Sequence, residues 1–371
     1  MSSQLYIGLM SGTSMDAVDC VLADISETTN VIDFINVDIS SELKNDLLEI
    51  CQESGNNLLK KLGETDIALG RLFASAAISI LEKNQINANQ IQAIGSHGQT
   101  VYHQPPGQSD YPFSIQIADP NSIAVLTGIT TVADFRRKDM ALGGQGAPLL
   151  PVFHQHLFKS TETDRIILNI GGMANITLLR KDDNHITGFD TGPGNILLDC
   201  WIQKNLNQSF DQNGNWAAGG KANTELLEFL LDDPYFAAPA PKSTGREYFN
   251  QQWLNRVLKD YAKDISAQDV QATLIELTAT TVAQAIQGVT EEAEVIICGG
   301  GERNKQLIAC LENQLESFKV TSSNAYGVNS DALEAFAFAW FARHTLQNQA
   351  LDFTTITGSS RPHVVGGIYY P

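Results

Sequence analysis

Two distant stretches of the chain share one design. Leu5-Tyr6-Ile7-Gly8-Leu9-Met10 is an apolar strand, residues 11–16 form a polar turn of small residues, and residues 17–24 leave it as a second strand. Residues 165–170 repeat the apolar strand, Gly171-Gly172-Met173-Ala174-Asn175 the turn, and residues 176–180 the returning strand. Strand, small-residue turn and strand predict a hairpin. Two such hairpins so far apart predict duplicated domains, one hairpin opening each, because solenoid repeats have a much shorter period. A length of 371 residues agrees, since one domain takes roughly 100–200.

The segments between the hairpins alternate in type. Residues 42–52 predict a helix with Leu43, Leu47, Leu48 and Cys51 on one face, and residues 66–83 a second helix. Residues 92–94 read as a strand running into Gly95-Ser96-His97-Gly98-Gln99-Thr100, and residues 128–135 as another. The glycine-rich 143–148 reads as a hinge or boundary. In the second half, residues 185–190 form a strand ending on Asp190, and Gly192-Pro193-Gly194-Asn195 opens a helix over 196–204. Helices near 224–231, 252–263 and 267–287 follow, then a strand over 294–298, Gly299-Gly300-Gly301, and a helix over 303–315. This alternation predicts an α/β chain with mixed sheets.

Charge narrows the function. With 42 acidic against 24 basic residues, the net charge of −18 disfavours nucleic acid as a partner, because that affinity comes from Lys and Arg neutralising phosphates. A nucleotide is not excluded, since backbone N–H groups and a divalent metal can hold its phosphates. The five cysteines, at 20, 51, 200, 298 and 310, form no C-x-x-C pair, which argues against a disulfide scaffold or structural zinc and for a reducing cytoplasm. No signal-peptide pattern opens the chain, and no apolar run has the length of a membrane span.

Phosphate-loop, dinucleotide-binding and nucleophile-elbow glycine patterns are all missing. Small-residue loops at strand ends remain. In the first, Gly12 permits close approach, Thr13 and Ser14 add hydroxyls, and Asp16 and Asp19 are carboxylates able to reach a metal directly or through water. An ordinary hairpin turn has the same composition. The loops at 171–175 and 299–301 match it, and three together point to a nucleotide. Asp190, at a strand end beside flexible glycines, suits a general base, but also a turn or capping aspartate. His97, the Arg136-Arg137 pair and the donor-rich 241–247 lie in further loops, each with an ordinary structural alternative.

Taken together, Gly8-Leu9-Met10-Ser11-Gly12-Thr13-Ser14-Met15-Asp16, Gly95-Ser96-His97-Gly98-Gln99-Thr100, Ala133-Asp134-Phe135-Arg136-Arg137, residues 143–148, Asn169-Ile170-Gly171-Gly172, residues 188–195 and residues 241–247 give the chain an end-to-end resemblance to the anhydro-N-acetylmuramic acid kinase family. Ala17 departs from the glycine usual there. The resemblance implies the sugar kinase, Hsp70 and actin fold, two similar ribonuclease-H-like domains flanking a cleft, here over residues 1–140 and 141–371 with a tail able to pack back on the first domain. It implies ATP and Mg²⁺, a cytoplasmic homodimer, and 1,6-anhydro-N-acetylmuramic acid as substrate, opened by water and phosphorylated on O6. It also implies roles: Asp190 as base; Gly12, Thr13, Ser14, Met15, Asp16, Ala17, Val18 and Asp19 around the ATP phosphates, Asp16 and Asp19 toward the metal; Gly171, Gly172, Gly192, Gly299, Gly300 and Gly301 completing the nucleotide site; and His97, Arg137, Asp190 and Glu334 at the sugar. A same-fold kinase for another sugar or carboxylic acid, an actin-like ATPase, and an ATP-independent hydrolase of the anhydro bond are the competing readings.

Overall fold

A computed structural model describes every residue except Met1, Ser2, Thr13, Glu27 and Pro241. Among the described residues the strands are β1 (Leu5–Met10), β2 (Ala17–Ile25), β3 (Thr29–Asp38), β4 (Ile91–Ser96), β5 (Gln99–Gln104), β6 (Phe113–Ile117), β7 (Thr131–Ala133), β8 (Arg165–Ile170), β9 (Met173–Leu179), β10 (Ile186–Pro193), β11 (Glu294–Cys298), β12 (Lys319–Ser322) and β13 (Gly367–Tyr369). One sheet has the order β13-β7-β4-β1-β2-β3 and the other β10-β9-β8-β11-β12, while β5 and β6 form a separate ribbon.

The duplication is explicit in the pairing. β1 runs antiparallel to β2 and parallel to β4; β2 is antiparallel to β3, and β4 parallel to β7. β8 repeats this with β9 and β11, and β9–β10 and β11–β12 complete the set. Each sheet is thus a three-strand antiparallel meander extended by two parallel strands beyond its first strand, the ribonuclease-H-like order. The first sheet adds β13 at its edge.

The chain divides into a unit of Met1–Leu157 with Gly327–Pro371, and a unit of Phe158–Tyr326. The expected dividing line was 140/141. Packing explains the difference. Phe153, on the helix Leu150–Phe158, lies against Phe336 and Trp340 at ring-centroid distances of 5.1 and 5.5 Å, so this helix stays with the first unit. Nor is the glycine-rich 143–148 a boundary. Gly146 N–H donates to Asp139 Oδ2 at 2.7 Å, Arg136 Nη1 donates to Gly146 O at 2.8 Å, and Gln145 N–H donates to Thr357 O at 2.8 Å.

β1 is buried at all six positions because helices cover its sheet from both sides. The helix Leu333–Leu346 contacts β1, β2 and β4, and the helix Leu58–Asn84 contacts β2 and β3. A strand covered on both faces reads as an unbroken apolar run, as β1 does. The first helix approaches so closely that a Cβ on Gly8 would overlap Ala335 O and one on Gly95 would overlap Phe338 O. In the second unit the helix Ala267–Val289 contacts β9 and β10 and carries Leu274, Leu277, Val282 and Ile286 into the core.

Three local expectations shift. Residues 128–135 pair only over Thr131–Ala133, because Gly128 (φ +70°) ends the helix Pro120–Thr127 and Asp134 (φ +60°) turns the chain away. β10 continues past Asp190 through Gly192 to Pro193, with a register shift between Asp190 and Gly192. The helix expected over 303–315 is a tight turn at Gly300–Arg303 and then Lys305–Gln314, with Asn304 capping it by accepting from Leu307 N–H at 3.1 Å. No helix among the described residues is long and apolar enough to cross a membrane.

Candidate functional site

In the second unit, β8 and β11 end side by side, with Cys298 paired to Asn169. The glycine loops that follow them therefore leave the same end of the sheet. Their glycines differ in task. A Cβ on Gly299 (φ +83°) would overlap Asn169 Oδ1, and one on Gly301 would overlap Ile170, so these two let the loop close on β8. Gly172 and Gly300 have open space where a Cβ would be, which leaves their backbones accessible to a ligand. The Gly171-Gly172 turn is stitched to the start of the helix Ile196–Leu206: Gly194 N–H donates to Gly172 O and Asn195 N–H to Gly171 O, both at 2.9 Å. At Gly192 a Cβ would lie 2.9 Å from the Phe236 ring.

Asp190 is held on three sides. Its main-chain N–H donates to Lys242 O at 3.0 Å, its main-chain O accepts from Tyr235 Oη at 2.8 Å, and its Oδ2 accepts from Thr244 N–H at 3.0 Å. β10 is an edge strand, so the 242–244 segment bonds to its otherwise open side. Lys242 Nζ anchors that segment by donating to Tyr235 O at 2.9 Å and Phe236 O at 3.1 Å. Burial pushes the Asp190 carboxyl up to about 6; the Thr244 N–H opposes this and the Glu247 charge adds to it. A carboxyl titrating there is ionised at neutral pH yet basic enough to accept a proton. The sequence pointed to Asp190 but left the role of 241–247 open, because nothing local shows that this loop folds back onto β10.

In the first unit, the turn between β1 and β2 begins with Ser11, whose buried hydroxyl has no partner among the described residues. Met15 N–H donates to Gly12 O at 3.1 Å. Met15 and Val18 send their side chains into the core, so only their backbones, with that of Ala17, remain for a phosphate. Ser14 is exposed, Gly12 has open space around it, and Thr13 lies outside the described residues.

Magnesium held with a nucleotide takes one or two carboxylates plus phosphate oxygens and waters, not an all-protein cage. The donor set fits that demand. Among the described residues there is no cluster of three or more candidate ligands, but Asp16 and Asp19 flank the turn. Asp19 accepts from Asn36 Nδ2, and the exposed Asp16 is ion-paired with Lys44, which would have to yield if Asp16 were to ligate.

His97 ends the β4 loop, also in the first unit. Its Nδ1–H donates to Gly98 O at 3.0 Å and its Nε2 accepts from Arg136 Nε at 3.0 Å. Burial, reinforced by the Arg136 charge, holds its pKa well below the usual range, so the ring is neutral. Arg136 itself is pushed down to about 10 by burial, against the opposing charges of Glu334 and Asp139. Burial raises the Glu334 carboxyl and Arg136 counteracts it. Arg136 therefore bonds to His97 and exchanges charge effects with Glu334. Arg137 is exposed and paired with Asp134 at 2.8 Å, yet it lines with His97, Gln116 and Tyr369 a pocket of about 170 Å³. Sequence reasoning named the pair and carried only Arg137 to the sugar; a helix that starts at Arg137 turns the two side chains to different surroundings.

Residues 4–371 match the family model described as anhydro-N-acetylmuramic acid kinase. The chain is 47% identical to the anhydro-N-acetylmuramic acid kinase of Coxiella burnetii (strain RSA 493 / Nine Mile phase I), over 100% of this chain and 98% of that protein. It is 48% identical to that of Saccharophagus degradans, over 100% of both chains, and 48% identical to that of Photobacterium profundum, over 100% of this chain and 99% of the other.

Proposed function

The chain belongs to the anhydro-N-acetylmuramic acid kinase family, and from that premise we propose that it uses ATP and water to convert 1,6-anhydro-N-acetylmuramic acid into N-acetylmuramic acid 6-phosphate, with Asp190 as general base. The observation that carries the role of Asp190 is its half-buried carboxyl, held at about 6 with one oxygen pinned by a backbone N–H. In the step we propose, Asp190 takes a proton from water while the water oxygen bonds to C1. The C1–O6 bond breaks, its electron pair stays on O6, and O6 takes the γ-phosphoryl group as the bond to ADP breaks. Positioning and charge stabilisation supply most of the rate in such a transfer.

The open backbones at Gly12, Gly172 and Gly300 suit phosphate oxygens, each within its own unit. Gly171, Gly192, Gly299 and Gly301 support those loops by fitting where a side chain would not. Mg²⁺, when bound with ATP, neutralises phosphate charge, and Asp19 with Asp16 are the carboxylates we assign to it. His97, Arg137, Asp190 and Glu334 are assigned to the sugar, and Arg136, whose Nε donates to His97 Nε2, is assigned as the group that orients His97. Cytoplasmic location and a homodimer follow the family resemblance.

Asp190→Asn should leave ATP affinity intact and lower turnover by about 10²–10⁴-fold, the usual worth of a positioned base. Near-native turnover in folded Asp190→Asn protein refutes the assignment. Product mass with ¹⁸O-labelled water tests the reaction itself: one label should appear in the phosphosugar, and only when ATP is present.

A further inference from the structure

The Asp190 centre contains a second polar group that the reaction described above does not use. Thr244 Oγ1 is buried and has no hydrogen-bond partner among the described residues. Leaving a buried hydroxyl unpaired is costly, so such a group calls for a partner. Thr244 is also the residue whose main-chain N–H pins Asp190 Oδ2 at 3.0 Å, which puts the residue next to the carboxylate, while its hydroxyl makes no bond to it. The other carboxylate oxygen, Oδ1, accepts no hydrogen bond from any described residue. An ordered water commonly occupies such a place, where two or more polar groups converge.

We propose that Thr244 is a further catalytic residue: its hydroxyl, together with Asp190 Oδ1, seats the attacking water. The water donates one O–H to Oδ1 and the other to Thr244 Oγ1. Its lone pairs are then left facing the sugar carbon. The proton that leaves goes to Oδ1, while Oδ2 stays pinned by the Thr244 N–H. One residue thus orients both the base and its water. The anchoring is consistent with that task. Thr244 sits two residues from Lys242, whose carbonyl takes the Asp190 N–H and whose ammonium is tied to Tyr235 O and Phe236 O. The proposal rests on Asp190 being the base.

The test compares variants that differ in the hydroxyl alone. Thr244→Val keeps the shape and the N–H; Thr244→Ser keeps the N–H and the hydroxyl. Thr244→Val should lower kcat by about 10–100-fold, the loss expected for one hydrogen bond to a reacting group. Sugar KM and ATP affinity should change by less than about twofold, because the interaction is made to water and not to either substrate. Thr244→Ser should recover most of the native kcat. The pH midpoint of kcat/KM should stay near 6 in both, because the N–H that holds Asp190 is unchanged. A native kcat in Thr244→Val, or a Thr244→Ser variant as slow as Thr244→Val, overturns the proposal. If the valine variant does not melt as a folded protein, Thr244→Ser against Thr244→Ala makes the same comparison with the same criteria. A slow Asp190→Asn beside a normal Thr244→Val removes only the Thr244 role, whereas a normal Asp190→Asn removes the base reading.

Discussion

Asp190 holds its carboxyl at a measurable cost in folded-state stability. The carboxyl has an ordinary value of 3.8 and about 6 in the folded chain. As pH rises between these values the unfolded chain gives up its proton first. Stability therefore falls across that interval and stays lowered above it. Two units correspond to at most about 3 kcal/mol, less after partial solvent screening. Asp190→Asn should accordingly be about 1–3 kcal/mol more stable than the native chain at pH 7.5 and equal to it below about pH 4, as read by urea unfolding at the two pH values. With Asp190 in the proposed role of base, activity should have the opposite dependence, because only the ionised carboxylate accepts a proton. In the native enzyme kcat/KM should fall about tenfold per unit as pH drops below 6. Asp190 stood out as a candidate in the sequence because an acid in an apolar strand beside glycines is a local pattern, although the strand itself runs on to Pro193. Arg136 was not separable from Arg137 that way: what distinguishes them is a hydrogen bond to His97, 39 residues upstream, and the charge of Glu334, far down the chain.

At the scale of elements, the glycines of the first hairpin separate into two kinds. Gly8 sits in β1 where the helix Leu333–Leu346 presses on the sheet, and Gly95 does the same in β4. Gly12 sits in the turn with no atom near a would-be Cβ and no left-handed backbone. Gly8→Ala or Gly95→Ala forces a helix backbone away from the sheet and should cost about 3 kcal/mol or more in chemical unfolding. Gly12→Ala should leave stability within about 0.5 kcal/mol and weaken ATP binding, as measured by calorimetry. The opposite ranking would show that the turn is structural and the strand glycine is not. Both hairpins and most helices were readable from periodicity, since those signals are local. The apolar run of β1 was readable too, but its burial on both faces is a finding of the structure. The resemblance allowed a tail to return to the first domain, but that its helix Leu333–Leu346 is what covers β1 was not readable, because periodicity reports which face is apolar and not what covers it.

For the molecule as a whole, the second unit is one continuous segment and the first is two. Residues 158–326 contain a complete five-strand sheet and their own core. Expressed alone, they should fold, with a cooperative melt and dispersed amide resonances. Residues 1–157 alone lack the helix over β1 and the β13 edge strand, and should expose apolar surface to a hydrophobic dye. The expectation allowed the tail to pack back on the first domain, and residues 327–371 do belong to that unit; the first crossing falls at 157/158 and not at 140/141 because the helix Leu150–Phe158 packs on Phe336 and Trp340.

The close fit of Gly8 and Gly95 against the helix Leu333–Leu346 also has a meaning in time. A ribosome delivers the chain at roughly 5–20 residues per second, and domains tend to fold as they emerge. The strands carrying those two glycines appear early, whereas the helix that fills their groove appears only after the whole second unit. For several seconds or longer the nascent protein carries a finished insert and an open, greasy half-sheet upstream of it. During that interval the chain should be a target for holding chaperones, and a slowed ribosome or a late stop codon mutation should lengthen its exposure without touching Asp190 or the glycine loops.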